Sequence, residues 1–129
     1  MARTDVMYSC SFMKLLATCR DVGDIAVVDF SGQITLGEGS AALRKMTKDL
    51  LASGKLKVVY NLSEVDYIDS AGLGELVASY MAAQNAGGEL KLANLTTRVR
   101  GLIQLTRLFT IFDVHPDERS ALSKFRETV

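Results

Sequence analysis

Tryptophan is absent from the chain, proline and histidine occur once each as Pro116 and His115, and cysteine occurs only as Cys10 and Cys19. One histidine and two cysteines leave no cluster that could hold zinc, and one histidine makes a Ser/His/Asp triad untenable. The cysteines leave two readings open, a disulfide or two reduced thiols, and the second is the expectation for a cytoplasmic protein. Charge of either sign is not in excess, with 15 Lys and Arg against 15 Asp and Glu. Nucleic-acid binding needs a basic surplus to neutralise phosphates, so no direct nucleic-acid partner is expected. No apolar run approaches the roughly 18 residues of a membrane span, and the opening "MARTDVMYSCSF" lacks the apolar centre of a signal peptide. The expectation is a cytoplasmic chain with no membrane partner, no metal and no cofactor.

What the sequence does have is a core and a rhythm. Its 129 residues are 48% hydrophobic, enough for one domain around a single core. Residues 1–12 show no periodicity and read as a flexible N-terminal extension, leaving 13–129 as the domain. From Met13, "MKLLATCR" and "IAVVDFSG" are strand-like runs joined by the turn "DVGD", Asp21–Asp24. In "EGSAALRKMTKDLLASG", Leu43, Met46, Leu50 and Leu51 share a helical face and Gly54 ends it. "KVVYNL" is a short buried-type strand. A helix from about Ala71 to Asn85 follows, with Leu73, Leu76, Val77, Tyr80 and Met81 as its inward stripe. "ELKLAN" reads as a strand and "TTRVRGLIQLT" as a helix with Val99, Leu102 and Ile103 inward. "IFDVH" reads as a last strand. Pro116 falls where a first helical turn tolerates it, ahead of a final helix carrying Ala121, Leu122 and Phe125. The order β-β-α-β-α-β-α-β-α predicts an α/β domain with a mixed, mostly parallel sheet and four helices.

The stretch "VDYIDSAGLGEL" concentrates the functional interest. Ser70 stands at the carboxyl end of a strand and the amino end of a helix, the edge where α/β folds collect function. Asp69 or Ser70 would cap that helix whatever the function. Gly72 and Gly74 weaken the turn they begin, so capping does not account for them, and positions without side chains let another molecule approach the hydroxyl. A nucleophile elbow needs glycine where Ile68 stands. A phosphate-binding loop needs lysine, and "DSAGLGEL" has no Lys or Arg. An aspartate phosphoacceptor at Asp69 needs an acidic pair and a partner lysine that "ATCRDVGD" and "FDVHP" do not jointly supply. A serine that receives a phosphoryl group fits best, since a helix N-terminus favours the dianion while Asp66, Asp69 and Glu75 oppose it.

These residues carry a family resemblance. "VVYNLSEVDYIDSAGLGELV" with "GGELKLANLTTRVRGLIQLTRL", and "FSGQITL" before them, resembles the STAS domain of bacterial anti-sigma factor antagonists over about Lys14 to Phe125. The resemblance implies a non-enzymatic phosphoprotein of partner switching. Ser70 would be the phosphoacceptor of an anti-sigma factor serine kinase, and a serine phosphatase would reset it. The unphosphorylated form would bind the kinase and release the sigma factor. Asp69, Ala71, Gly72, Leu73 and Gly74 would form the contact surface. Thr35 would join it, standing where the family often has an acid, and Ala71 stands where a second serine is common. The alternative within the family is a scaffold subunit of a larger signalling assembly. Independently of the resemblance, Ala71, Glu75, Ala78, Ser79, Ala82 and Ala86 form a small-residue helix face suited to docking, so Ala78 and Ala82 join the expected partner-binding set. The expected oligomeric state is a monomer or weak dimer. Arg98, Arg100 and Arg107 read as a solvated helix face, and Leu105, Leu108, Phe109, Ile111 and Phe112 as core.

Overall fold

Two interlocking periodicities build the domain, alternation along the strands and a 3.6-residue stripe along the helices. The computed structural model describes residues 5–11 and 15–127, and side chains over 15–125. The strands are β1 (Asp5–Ser11), β2 (Leu15–Val22), β3 (Ile25–Ile34), β4 (Lys57–Ile68), β5 (Glu89–Ala93) and β6 (Asp113–His115). The helices are α1 (Glu38–Ala52), α2 (Ser70–Asn85), α3 (Thr97–Leu105) and α4 (Glu118–Glu127), with a 3₁₀ turn at Leu108–Thr110. One six-stranded sheet runs in the order β1-β2-β3-β4-β5-β6. The β1–β2 and β2–β3 pairs are antiparallel, and β3–β4, β4–β5 and β5–β6 are parallel. The expected mixed sheet with four helices is what forms, and the expected order holds from β2 onward.

Three differences from the sequence reading stand out. Asp5–Ser11 is a strand paired to β2 rather than part of a loose extension. The rest of that expected extension, residues 1–4 and 12, lies outside the described residues. The run at Lys57–Leu62 and the strand that ends before Asp69 are one continuous β4 to Ile68, because β3 offers it partners as far as Ile34↔Ile68. The last helix starts at Glu118, with the Asp117 carboxylate accepting from Ser120 N at 2.8 Å, so Pro116 lies just before the helix rather than in its first turn.

Alternation sorts the sheet into two faces. Ala26, Val28 and Phe30 of β3, with Val58, Tyr60 and Leu62 of β4, meet α1, α2 and α3 in the larger core. Ile25 and Val27 of β3, Val59 of β4 and Ala93 of β5 point to the other side, where Ala121 and Phe125 of α4 cover them. Polar groups are placed to be satisfied. Thr47 Oγ1 of α1 donates to Ser79 Oγ of α2 at 2.9 Å and shares a short hydrogen bond with the buried Tyr60 hydroxyl. On the α4 side, Arg20 reaches Asp29 at 2.7 Å and Glu118 at 2.5 Å, which ties α4 to β2 and β3. The buried Lys91 meets Asp113 at 2.6 Å and lies over the Phe125 ring. Burial opposes its charge, and the bonds to Asp113 and Glu89 outweigh that and raise its pKa. Cys19 is a free, buried thiol, which removes the disulfide reading, and burial pushes its pKa up.

Candidate functional site

β4 leaves the sheet at Ile68, and Asp69 takes an extended conformation (φ −96°, ψ −177°) that makes it the N-cap of α2. Ser70 is then the first helical residue, and its side chain is exposed. The first turn of α2 places the positive end of the helix dipole beside that hydroxyl.

Asp69 holds the corner together. Its Oδ1 accepts from Gly72 N at 2.8 Å, capping α2, and its Oδ2 accepts from Leu36 N at 3.0 Å. The second bond crosses to the β3–α1 connection, and Asp69 N donates to Ile34 O at 3.3 Å. The Leu36 and Gly72 N–H groups hold the Asp69 carboxyl below the usual carboxylate range. One side chain thereby fixes both the helix start and the neighbouring loop, and the loop presents Leu36 with 78% of its surface exposed.

The two glycines do different things. A Cβ on Gly72 would stand 2.0 Å from Ile34 O and 2.8 Å from Ile34 C, so Gly72 is required by the approach of α2 to the end of β3 rather than by an incoming partner. Gly74 is exposed, and a Cβ there would meet nothing within 4 Å, so nothing in the chain's own packing demands glycine at that position.

The expected contact residues are only partly brought together at the surface. Ser70, Gly74 and Ala78 are exposed along one line of α2, which Met81 extends with 50% exposure. Asp69, Ala71 and Thr35 are half-buried beside it. Leu73 is 6% exposed and belongs to the core. Ala82 is half-buried and Ser79 is buried, and Met81 faces outward rather than inward. The whole face is rotated by about one residue from the sequence reading because α1 packs on that flank. Arg44 of α1 binds Glu75 at 3.0 Å, and Thr47 donates to Ser79. Glu75 is therefore a paired acid, whereas the exposed Asp66 has no ion-pair partner among the described residues.

Asp66 lines a shallow cleft of about 610 Å³ with Gln33, Tyr67, Thr96, Thr97 and Arg98. Arg98 is thus near the acidic corner, whereas Arg100 faces a separate cleft. Tyr67, in the same lining as Asp66, is 41% exposed. The sequence reading missed Leu36 and Arg44. A single apolar residue before Gly37, which has φ 97°, was the available sign of a displayed loop tip. Arg44 carries no local sign. Among the described residues no group of three His, Cys, Asp or Glu could hold a metal ion, and no helix is long and apolar enough to cross a membrane.

The corner offers a hydroxyl at a helix N-terminus, open in front and braced behind. The chain as a whole is similar to known proteins. The STAS domain profile matches residues 17–121. An anti-sigma-B factor antagonist of Bacillus subtilis (strain 168) is 31% identical over 87 residues, which is 67% of this chain and 78% of the relative. A crystal structure of an anti-sigma factor antagonist from Mycobacterium paratuberculosis superposes with a TM-score of 0.75 at 26% identity, covering 87% of this chain and 94% of that one. The Bacillus cell fate determinant SpoIIAA, solved in its phosphorylated form, has the same fold, with a TM-score of 0.64 at 16% identity over 84% of this chain and 98% of its own.

Proposed function

The chain belongs to the STAS domain family, and from that premise we propose that it is an anti-sigma factor antagonist whose binding is switched by phosphorylation of Ser70. The observation that carries the reading is the exposed Ser70 hydroxyl at the first position of α2, with Asp69 holding the turn and Gly74 leaving the approach open. The partner is an anti-sigma factor with serine kinase activity, and the unphosphorylated antagonist binds it and frees the sigma factor.

The chain's own part is to present the hydroxyl, not to activate it. The helix N-terminus stabilises the product phosphate. Phosphorylation adds about −1.5 to −2 charges next to Asp66 and Asp69, and a docked partner would have to desolvate that charge. A loss of about 2–3 kcal/mol gives roughly 30- to 150-fold weaker binding. A serine phosphatase restores the binding form. On this reading the antagonist works in the cytoplasm.

The test is incubation with the anti-sigma factor kinase and Mg-ATP, read by intact-protein and peptide mass spectrometry. One phosphate on the peptide containing Ser70, and none on Ser70→Ala, is the expected result. Full phosphorylation of Ser70→Ala would overturn the assignment. Calorimetry of the phosphorylated and unphosphorylated forms against the kinase reads the switch, and equal affinities would overturn the release mechanism.

A further inference from the structure

The segment that runs from Asn94 to Phe112 holds Arg98, Arg100 and Arg107 and no acid, in a chain whose charges otherwise balance. Its apolar residues were expected in the core, yet Leu105 is 81% exposed, Phe109 54% and Ile111 39%. Of that set only Phe112 is buried, at 5%, while Leu108 is half-buried against the core. Three large apolar side chains displayed within seven residues leave apolar surface that solvent does not favour.

Behind the patch, a cleft of about 650 Å³ opens between α3 and β6. Leu95, Ile103 and Phe112 give it a buried apolar floor, with Phe109 and Arg100 in its walls. The acid in its lining, Asp113, already binds Lys91 at 2.6 Å. Neither Arg100 nor Arg107 has an ion-pair partner among the described residues. The cleft therefore combines an apolar slot with the unpaired guanidinium group of Arg100, while Arg107 lies outside its lining.

We propose that this cleft docks a segment of a partner protein that inserts one bulky apolar side chain and flanks it with carboxylates. The surface is separate from Ser70, so the inference does not depend on the phosphorylation reading. Charge complementarity selects the carboxylates, which guanidinium groups bind with two parallel hydrogen bonds. The concave slot selects a projecting side chain over the broad surface of a bilayer. Gly101 adds an independent hint. It costs α3 about 1 kcal/mol relative to alanine, and a Cβ there would meet nothing within 4 Å. Glycine is thus not required by the chain's own packing, and it lets a docking backbone lie close across α3.

The experiment pans a random dodecapeptide phage library against the full chain, with the enriched peptides then synthesised and titrated by fluorescence anisotropy. The expected peptides pair Leu, Ile or Phe with Asp or Glu, and shift the amide resonances of residues 95–114. Phe109→Ser and Arg100→Glu should each weaken them about 30-fold, as removal of an interface anchor does. Both positions are exposed, and melting curves check folding. If Phe109→Ser unfolds, Leu105→Ser replaces it. Absence of enrichment, enriched peptides without acids, or resonance shifts confined to the Ser70 corner would each overturn the proposal. So would Phe109-dependent sedimentation with 7:3 phosphatidylcholine–phosphatidylglycerol vesicles, which would assign the patch to lipid. A dimer in sedimentation velocity that Phe109→Ser dissolves would assign it to a second copy of the chain.

Discussion

Replacing Gly72 with alanine asks whether the helix start is built by close packing against β3. The added Cβ would lie 2.0 Å from Ile34 O, 2.8 Å from Ile34 C and 2.9 Å from Ile34 Cγ2, where ordinary contact begins at 3.4 Å. Two of those obstacles are backbone, so a rotamer change cannot relieve the overlap. The first turn of α2 has to lift, which stretches the Gly72 N–Asp69 Oδ1 and Asp69 N–Ile34 O bonds. Overpacking of this kind costs about 1–3 kcal/mol, and backbone obstacles put it at the upper end. Alanine returns up to about 1 kcal/mol through helix propensity, so the net loss is about 2 kcal/mol. For a domain of this size that lowers Tm by about 6–10 °C. Gly74→Ala, with open space around it, is the internal control and should gain about 0.5–1 kcal/mol. Urea melts of the two variants beside wild type measure both. A Gly72→Ala midpoint at or above wild type would refute the reasoning, since propensity would then have outweighed packing.

Asp69→Ala should cost about 1 kcal/mol at pH 7, the usual loss for an N-cap. The wild-type carboxyl titrates below its unfolded value, so its stabilisation is present above about pH 4 and is lost as pH falls through the lower folded pKa. Urea melts at pH 7 and pH 3 should therefore show the gap between Asp69→Ala and wild type narrowing in acid. Thr47→Val should cost about 2 kcal/mol, because it strands the buried Tyr60 hydroxyl, whereas Tyr60→Phe should cost about 1 kcal/mol, since Thr47 keeps its bonds to Leu43 O and Ser79. Equal losses in denaturant melts of the two variants would remove the distinction.

The parts of the fold legible in the sequence are those that local pattern dictates. The stripes of α1 and α3, the turn after Val22 and the Asp69–Ser70 helix start were read from neighbours a few residues apart, and the structure agrees. What was missed depends on distant chain. The Asp5–Ser11 run has no alternation that marks it as a strand until β2 lies beside it. The join between the Lys57–Leu62 run and the strand before Asp69 passes through exposed Ser63 and Glu64 and is continuous because β3 runs alongside. Gly72 looked like an opening for a partner because the carbonyl it avoids belongs to another strand. Hydrophobicity alone could not tell that Leu105, Phe109 and Ile111 lie outside the core, because that depends on what the last strand leaves uncovered.

The sheet order repeats the chain order from β1 to β6. Each strand can therefore dock on the edge left by the one before it, with only its own crossover helix to close. A ribosome releasing this chain from its N-terminus delivers the pieces in assembly sequence, and no strand has to wait for a later one to be slotted between earlier neighbours. Pairing between sequence neighbours keeps contact order low, which favours rapid folding. The exception is the back of the sheet. Ile25, Val27 and Val59 have their cover only when α4, made after every strand of the sheet, arrives with Ala121 and Phe125. Until then the nascent domain carries a bare apolar face, so the interval between β6 and α4 during synthesis is when it is most exposed to aggregation and to chaperone capture.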